Sequence, residues 1–281
     1  MKQITIVEQL DNNQFTLYDN KLGSILREFS GFEYPTVQES IDDVAGPYGS
    51  VYITSKYGRR PLSVLGDIVT ADPYAMRRQL QKALRQTGTI KLLKFTTYDD
   101  LNLQCEAEVV KVRMPYTHTV HTFLIEFVAP DWRFYSQDLV SQDVGLTIIR
   151  GGFAIPTAIP ISFMSPSSES TLVNNIITNM GNEITDPVFT IHGPGNGFTI
   201  GNGTTEEQFV LDYLLGADDV VVIDVKRRTV VLNGVTNIYS AIDGDFWSIP
   251  LGESDLRFLV DEGLTMNTNL NVAFRHAYAG I

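Results

Sequence analysis

The residue types that most often carry nucleophilic, acid–base or metal chemistry are scarce in this chain, which holds four histidines and one cysteine. His118 and His121 stand three apart in a strand-like run, a spacing that sends their side chains to opposite faces. The pair therefore does not chelate a metal by itself. His192 and His276 are isolated, and no Cys or His cluster has zinc spacing. Cys105 also lies in a strand-like run, with no context that favours a thiolate, and reads as a small buried hydrophobe. As the single cysteine it cannot form an intrachain disulfide.

Carboxylates occur together at Asp42-Asp43, Asp99-Asp100 and Asp218-Asp219, with Asp243 and Asp245 as a spaced pair. Such pairs could bind calcium or do acid–base work, but none continues into an EF-hand pattern. Turn aspartates bonded to their own backbone account for them more simply. The glycine-rich stretch Gly193–Gly203 lacks the Gly-Lys-Ser/Thr ending of a phosphate-binding loop, and no amphipathic helix follows it. It reads as a loop and turn around a short strand. No serine sits in a Gly-x-Ser-x-Gly elbow. The reading assigns no catalytic residue, no metal ligand and no cofactor.

The elements that hold these residues are mostly strands. One segment, Asp72 to Gly88, has a complete helix signature. Asp72 can cap the first turn, and Pro73 occupies the first helical position, where a missing N–H costs nothing. Met76, Leu80, Ala83, Leu84 and Thr87 form the mostly apolar face, with Arg77, Arg78, Gln81, Lys82 and Arg85 opposite. Gly88 is the expected C-terminal cap. Strands are expected at Ile90–Thr97, Cys105–Met114 and His118–Val128. A hairpin pairs Val220–Val225 with Thr229–Leu232 around the basic tip Lys226-Arg227-Arg228, and Asn233-Gly234 is a strong turn signal after it. Phe246–Ile249, Asp255–Leu259 and Leu270–His276 complete the set.

At 281 residues the chain suits two domains of ordinary size. Hydrophobic residues make up 43% and charged residues 19%, the balance of a folded globular protein. The acidity is uneven. Residues 1–150 carry 16 basic and 18 acidic side chains, a net charge of −2, and residues 151–281 carry 5 and 15, a net −10. A total of −12 argues against sequence-specific nucleic-acid binding, which needs Lys and Arg to neutralise phosphates. No apolar run approaches 18 residues, and the start has no signal-peptide core, so neither membrane insertion nor export is expected. A reducing cytoplasm is the simplest site of synthesis. Gly and Pro concentrate between 151 and 160, which predicts a domain at 1–140, a linker at 141–160 and a domain at 161–281. The fold class expected is mainly β with one N-terminal α-helix: an α+β domain, then a β-sandwich or barrel.

Several segments resemble the distal tail protein (Dit) family of long-tailed bacteriophages, the siphovirus-type tail components. Pro130-Asp131-Trp132-Arg133-Phe134-Tyr135 is similar to the ending of that family's N-terminal domain. The Gly, Pro and aromatic run from Gly151 to Phe163 is similar to its linker. The longest likeness includes Ile200 to Thr205, Phe209 to Tyr213, Val222 to Gly234, Asn237 to Ser240, Asp245 to Pro250 and Phe274 to Ile281. In order and spacing these look like the family's C-terminal domain.

The resemblance implies an architectural virion protein, made in the bacterial host and placed at the distal end of the phage tail. It implies a hexameric ring, single or doubled, built by N-terminal domains around a channel for DNA, with galectin-like β-sandwiches projecting outward. Implied partners are other copies of the chain, the tail tube protein, the tail-associated hub protein and receptor-binding proteins. Two alternatives follow, one from the galectin-like label and one from the tail-tip location. A carbohydrate-binding module is one, but His192 and His276 do not begin a galectin His-x-Asn-x-Arg strand, and Trp247 is expected in the core. An envelope hydrolase is the other, and the sequence holds no catalytic constellation for it. The interface residues expected are Arg77, Arg78 and Arg85 on the helix and Tyr48, Tyr52 and Tyr57 in the Tyr48–Tyr57 region. Those tyrosines equally fit ordinary half-buried strand positions.

Overall fold

The computed structural model of the chain describes residues 1–8, 14–19, 24–43, 50–84, 90–115, 121–148, 170–171, 175–262 and 268–281. The chain divides into two compact units: Met1–Asp138 with Ala277–Ile281, and Leu139–His276. The first division falls close to the boundary expected at 140. The last five residues, placed by chain order in the C-terminal domain, belong instead to the first unit.

The first unit contains β1 (Gln3–Glu8), β2 (Gln14–Asp19), β3 (Ser24–Ser30), β4 (Val37–Asp43), β5 (Ser50–Tyr57), β6 (Arg60–Ile68), α1 (Pro73–Ala83), β7 (Lys91–Thr96), β8 (Asn102–Arg113), β9 (His121–Ala129) and β10 (Phe134–Ser136). Its main sheet runs β2-β1-β7-β8-β9-β6-β3, and every pairing is antiparallel. Inward residues alternate along the strands. In β9 His121, Phe123, Ile125, Phe127 and Ala129 are buried, while Leu124, Glu126 and Val128 are half-buried. The path ends at β2 and β3, and these two strands are tied by Ser24, whose buried hydroxyl donates to the Leu17 carbonyl at 2.7 Å. In β8 a register shift lies between Val109 and Lys111, and Val110, the residue between them, is exposed.

Helix α1 starts where the sequence dictates. The Asp72 carboxylate accepts from the Ala75 N–H at 2.9 Å, and Pro73 is the first helical residue. Leu80 and Leu84 are buried and Met76 packs against the same core. The helix closes at Leu84, and the expected continuation to Gly88 lies outside the described residues. Among the described residues, strands β4 and β5 pair only with each other, as a two-stranded ribbon apart from the main sheet.

The second unit contains β11 (Val140–Val144), β12 (Thr147–Ile148), β13 (Ser170–Thr171), β14 (Ile176–Asn179), β15 (Val188–His192), β16 (Asn196–Asn202), β17 (Glu207–Leu211), β18 (Val220–Asp224), β19 (Thr229–Leu232), β20 (Thr236–Asn237), β21 (Ile242–Gly244), β22 (Gly252–Glu262) and β23 (Asn269–Phe274). It is a β-sandwich. One sheet runs β11-β23-β15-β18-β19-β20 and the other β14-β22-β16-β17-β21. The core includes Phe189, Ile191, Phe209, Ile223, Trp247, Phe258 and Val272. Phe189 of β15 meets Phe209 of β17 edge-on at 5.7 Å between ring centroids and Trp247 at 5.2 Å.

The expected hairpin around Lys226-Arg227-Arg228 is present as β18 and β19, and Asn233-Gly234 turns with positive φ at both residues (50° and 72°). Phe246–Ile249 is not a strand, and Ile249 makes only an isolated bridge to Thr185. The start of the expected linker, Val140–Val144, is β11, paired with β23 as an edge of the sandwich. Residues 149–160 lie outside the described residues. The short strand expected within Gly193–Gly203 is β16, the central strand of its sheet, paired with β22 and β17. Gly197 (φ +65°) makes this possible, since a Cβ there would stand 2.4 Å from Asp261 Oδ2.

The last strand, β24 (Ala277–Tyr278), returns to the first unit and pairs with β10, Tyr278 opposite Phe134. The Ile281 N–H donates to the Phe32 carbonyl at 3.0 Å. Gly280 permits the approach, because a Cβ there would lie 2.7 Å from the carbonyl carbon of Glu33.

Candidate functional site

Among the described residues, no group of three or more His, Cys, Asp or Glu is arranged to hold a metal ion. Cys105 is buried, and burial pushes its thiol up to about 12, against the smaller opposing effect of Arg60. It is an inert core residue. His121 is buried in β9 with the Tyr74 ring edge-on at 4.9 Å, and His118 lies outside the described residues. His276 accepts from the Met180 N–H through Nδ1 at 3.2 Å.

The acidic pairs divide by location. Asp219 is a turn aspartate: it accepts from Asn233 Nδ2 and from the Gly216 N–H, both at 2.8 Å, and these bonds hold its carboxyl below the usual range. The Asp99 carboxyl is likewise lowered, chiefly by the Thr97 hydroxyl. Asp42 and Asp43 belong to β4 and Asp243 to β21, so those three sit in strands rather than turns. Within Gly193–Gly203, the backbone of Phe198–Asn202 pairs with β17 on one side and β22 on the other. Trp247 is 2% exposed, and its Nε1–H donates to the Ile200 carbonyl at 3.2 Å. Its ring faces are in the core, so it offers no stacking platform for a sugar.

Two exposed features of the first unit remain, and they hold most of the interface residues expected from sequence. The first is the β4–β5 ribbon. Residues 36–40 and 52–57 are exposed on both of its faces. Apolar side chains are among them: Val37, Tyr52 at 56% exposure, Ile53 at 54%, and Tyr57 at 44%. Ile53 owes its position to a bulge, because Ser40 pairs with Thr54 while Ile41 pairs with Tyr52. Tyr48 lies outside the described residues.

The ribbon's base is fixed by the Pro130–Tyr135 motif. Tyr57 stacks on Trp132 with ring centroids 4.1 Å apart. The Asp131 carboxylate organises that turn, accepting from the Arg133 N–H at 3.0 Å and from the Tyr135 hydroxyl at 2.6 Å. The Arg133 guanidinium lies over the Trp132 and Tyr135 rings, at 5.8 and 5.6 Å. The structural use of this motif was not legible in its composition, because its contact with Tyr57 spans more than 70 residues of chain.

The second feature is the polar face of α1. Arg77 donates to the carbonyls of Met114 and Pro115, the latter at 2.9 Å, and so ties the helix to the end of β8. Arg78 and Lys82 are exposed, and Arg85 lies outside the described residues. Tyr74, Arg77, Arg78 and Gln81 line a shallow hollow of about 470 Å³. A second hollow, of about 520 Å³, is lined by Arg113, Met114, Pro115, Thr122 and Leu124.

The chain is similar to known proteins in part of its sequence and in its fold. Residues 180–278 match the family model described as siphovirus-type tail component, C-terminal domain. None of the curated proteins matches the sequence. Among solved structures, the SPP1 Dit protein (gp 19.1), titled a paradigm of the hub adsorption apparatus in phages infecting Gram-positive bacteria, shares 15% identity. It covers 98% of both chains with a TM-score of 0.63. A chain of the phage p2 baseplate, titled as in its activated conformation with Sr, shares 13% identity over 97% of this chain and 98% of that one, with a TM-score of 0.51. Identities this low speak for the fold. Residues 180–278 are similar to the C-terminal domain of siphovirus-type tail components, and the chain as a whole shares the fold of the SPP1 Dit protein, the family that its sequence motifs resemble.

Proposed function

We propose that this protein is a structural adaptor at the tip of a long phage tail. The coarse assignment, a structural rather than enzymatic component of the virion tail, rests on the family match at 180–278 and on the fold shared along the whole chain. In the finer reading, copies associate through their first units into a closed ring of six. That ring joins the tail tube to the tail-associated hub and to receptor-binding proteins, and DNA passes through its channel. The sandwich, galectin-like by resemblance, projects from the ring. The protein is made in the host cytoplasm and ends in the virion.

The observation that carries the ring is the β4–β5 ribbon. A two-stranded ribbon in water is marginally stable, and this one exposes both faces with Tyr52 and Ile53 more than half accessible. In this reading a neighbouring copy covers it. Heterologous contacts repeated by rotation close into a ring. The nearly neutral charge of residues 1–150 permits side-by-side packing, and the acidic remainder suits a solvent-facing domain.

The test is the mass in solution by light scattering after gel filtration, with negative-stain images of the main peak. Six copies of the 31.3 kDa chain come to about 188 kDa. A particle of that mass with a central hole supports the adaptor. A monomer at every concentration removes the self-assembling ring.

A further inference from the structure

The two exposed features of the first unit are opposite in charge. The two strands of the ribbon, Val37–Asp43 and Ser50–Tyr57, carry Glu39, Asp42 and Asp43 against a single Lys56. Helix α1 carries Arg77, Arg78 and Lys82 and no acidic residue. On the ribbon, Glu39 pairs in register with Ser55, next to the Val37–Tyr57 pair, so a carboxylate and two apolar side chains share one face. On the helix, exposed Arg78 and the engaged Arg77 line the shallow hollow with Tyr74 and Gln81, a shape that admits side chains from a flat ribbon.

From this complementarity we infer that the ribbon of one copy docks on the basic face of α1 in the next copy. The occupant of the hollow is thus a second copy of this chain, with Tyr52 and Ile53 supplying apolar contact and Glu39 facing Arg78. The contact is heterologous, because ribbon and helix are different surfaces, and it repeats around a ring. Arg77, held on the Met114 and Pro115 carbonyls, keeps the helix face rigid for docking. The inference rests on the proposed self-assembly and specifies its interface. Opposite charges set register and favour the correct neighbour, and like charges in their place oppose it.

The experiment uses the full chain in four forms: wild type, Glu39→Lys, Arg78→Glu and the double variant Glu39→Lys/Arg78→Glu. Mass is followed against protein concentration by light scattering, and far-UV circular dichroism melting checks each fold. The expected result is a large wild-type assembly, a weakening of about tenfold or more in each single variant, and recovery in the double variant. Folded single variants that assemble like wild type overturn the ribbon–helix contact while leaving the ring in place. Loss in the singles without recovery in the double overturns it as well. A wild type that stays monomeric at all concentrations fails the self-assembly reading itself, and the interface falls with it.

Discussion

The guanidinium carbon of Arg60 lies 4.1 Å from the centroid of the Phe134 ring, a cation held over an aromatic face inside the first unit. Arg60 is 2% exposed, and its Nη2 donates to the carbonyl of Ala279, 219 residues later in the chain. Burial pulls its pKa down to about 10, against the opposing pull of Cys105, Asp131 and Glu33. Arg60 Nε and Nη1 are buried without a hydrogen-bond partner among the described residues.

Two substitutions at this position separate packing from charge. Arg60→Ala removes the stem, the ring contact and the bond to Ala279, and is expected to cost about 2–4 kcal/mol. Arg60→Met loses the bond to Ala279 as well, but it keeps the stem and removes the two unpartnered groups, so it is expected to cost less than Arg60→Ala, about 1–2 kcal/mol. Urea unfolding followed by circular dichroism measures both. An equal loss in the two variants would show that the charge itself holds the site.

Deleting Ala277–Ile281 removes β24 from β10, the bond to Phe32, and the carbonyl that Arg60 holds. Differential scanning calorimetry should show the first unit melting several degrees lower while the sandwich transition stays in place. A shift confined to the sandwich transition would contradict the assignment of this strand.

In the sandwich, Trp247→Phe loses the bond to the Ile200 carbonyl and part of a buried ring, for an expected cost of about 1–3 kcal/mol. Wild-type fluorescence should be blue-shifted and poorly quenched by iodide at this residue. A Trp247→Phe variant with unchanged stability would place the ring outside the core.

The Cys105 thiol should resist alkylation by iodoacetamide at pH 8 in the folded protein and react fully in urea. Its folded pKa of about 12 lies above the unfolded value of 9.0. This contribution to stability is therefore complete below about pH 9 and is lost as pH rises toward 12. In Cys105→Ala that part of the alkaline decline should disappear, which stability measured from pH 8 to 11 would show.

What the sequence determined alone was local. Asp72 and Pro73 start α1 because a cap and a fixed φ act within one turn. Asn233-Gly234 turns the chain because both residues tolerate positive φ. The alternation of β9 declares its buried face through a side-chain period of two, and the family motifs pointed to the Dit fold. Tertiary structure decided what depends on distant partners. The short strand expected within Gly193–Gly203 is present as β16, but its central place in the sheet depends on β17 and β22 flanking it. Tyr52 and Tyr57 fitted half-buried strand positions equally well, yet no second layer covers Tyr52, and Tyr57 rests on Trp132. The chain end joins a sheet built from the other end of the sequence, because Phe134 and Arg60 prepare a site for it there. Propensity acts over a few residues, whereas burial and pairing are set by whichever strands the whole chain brings alongside.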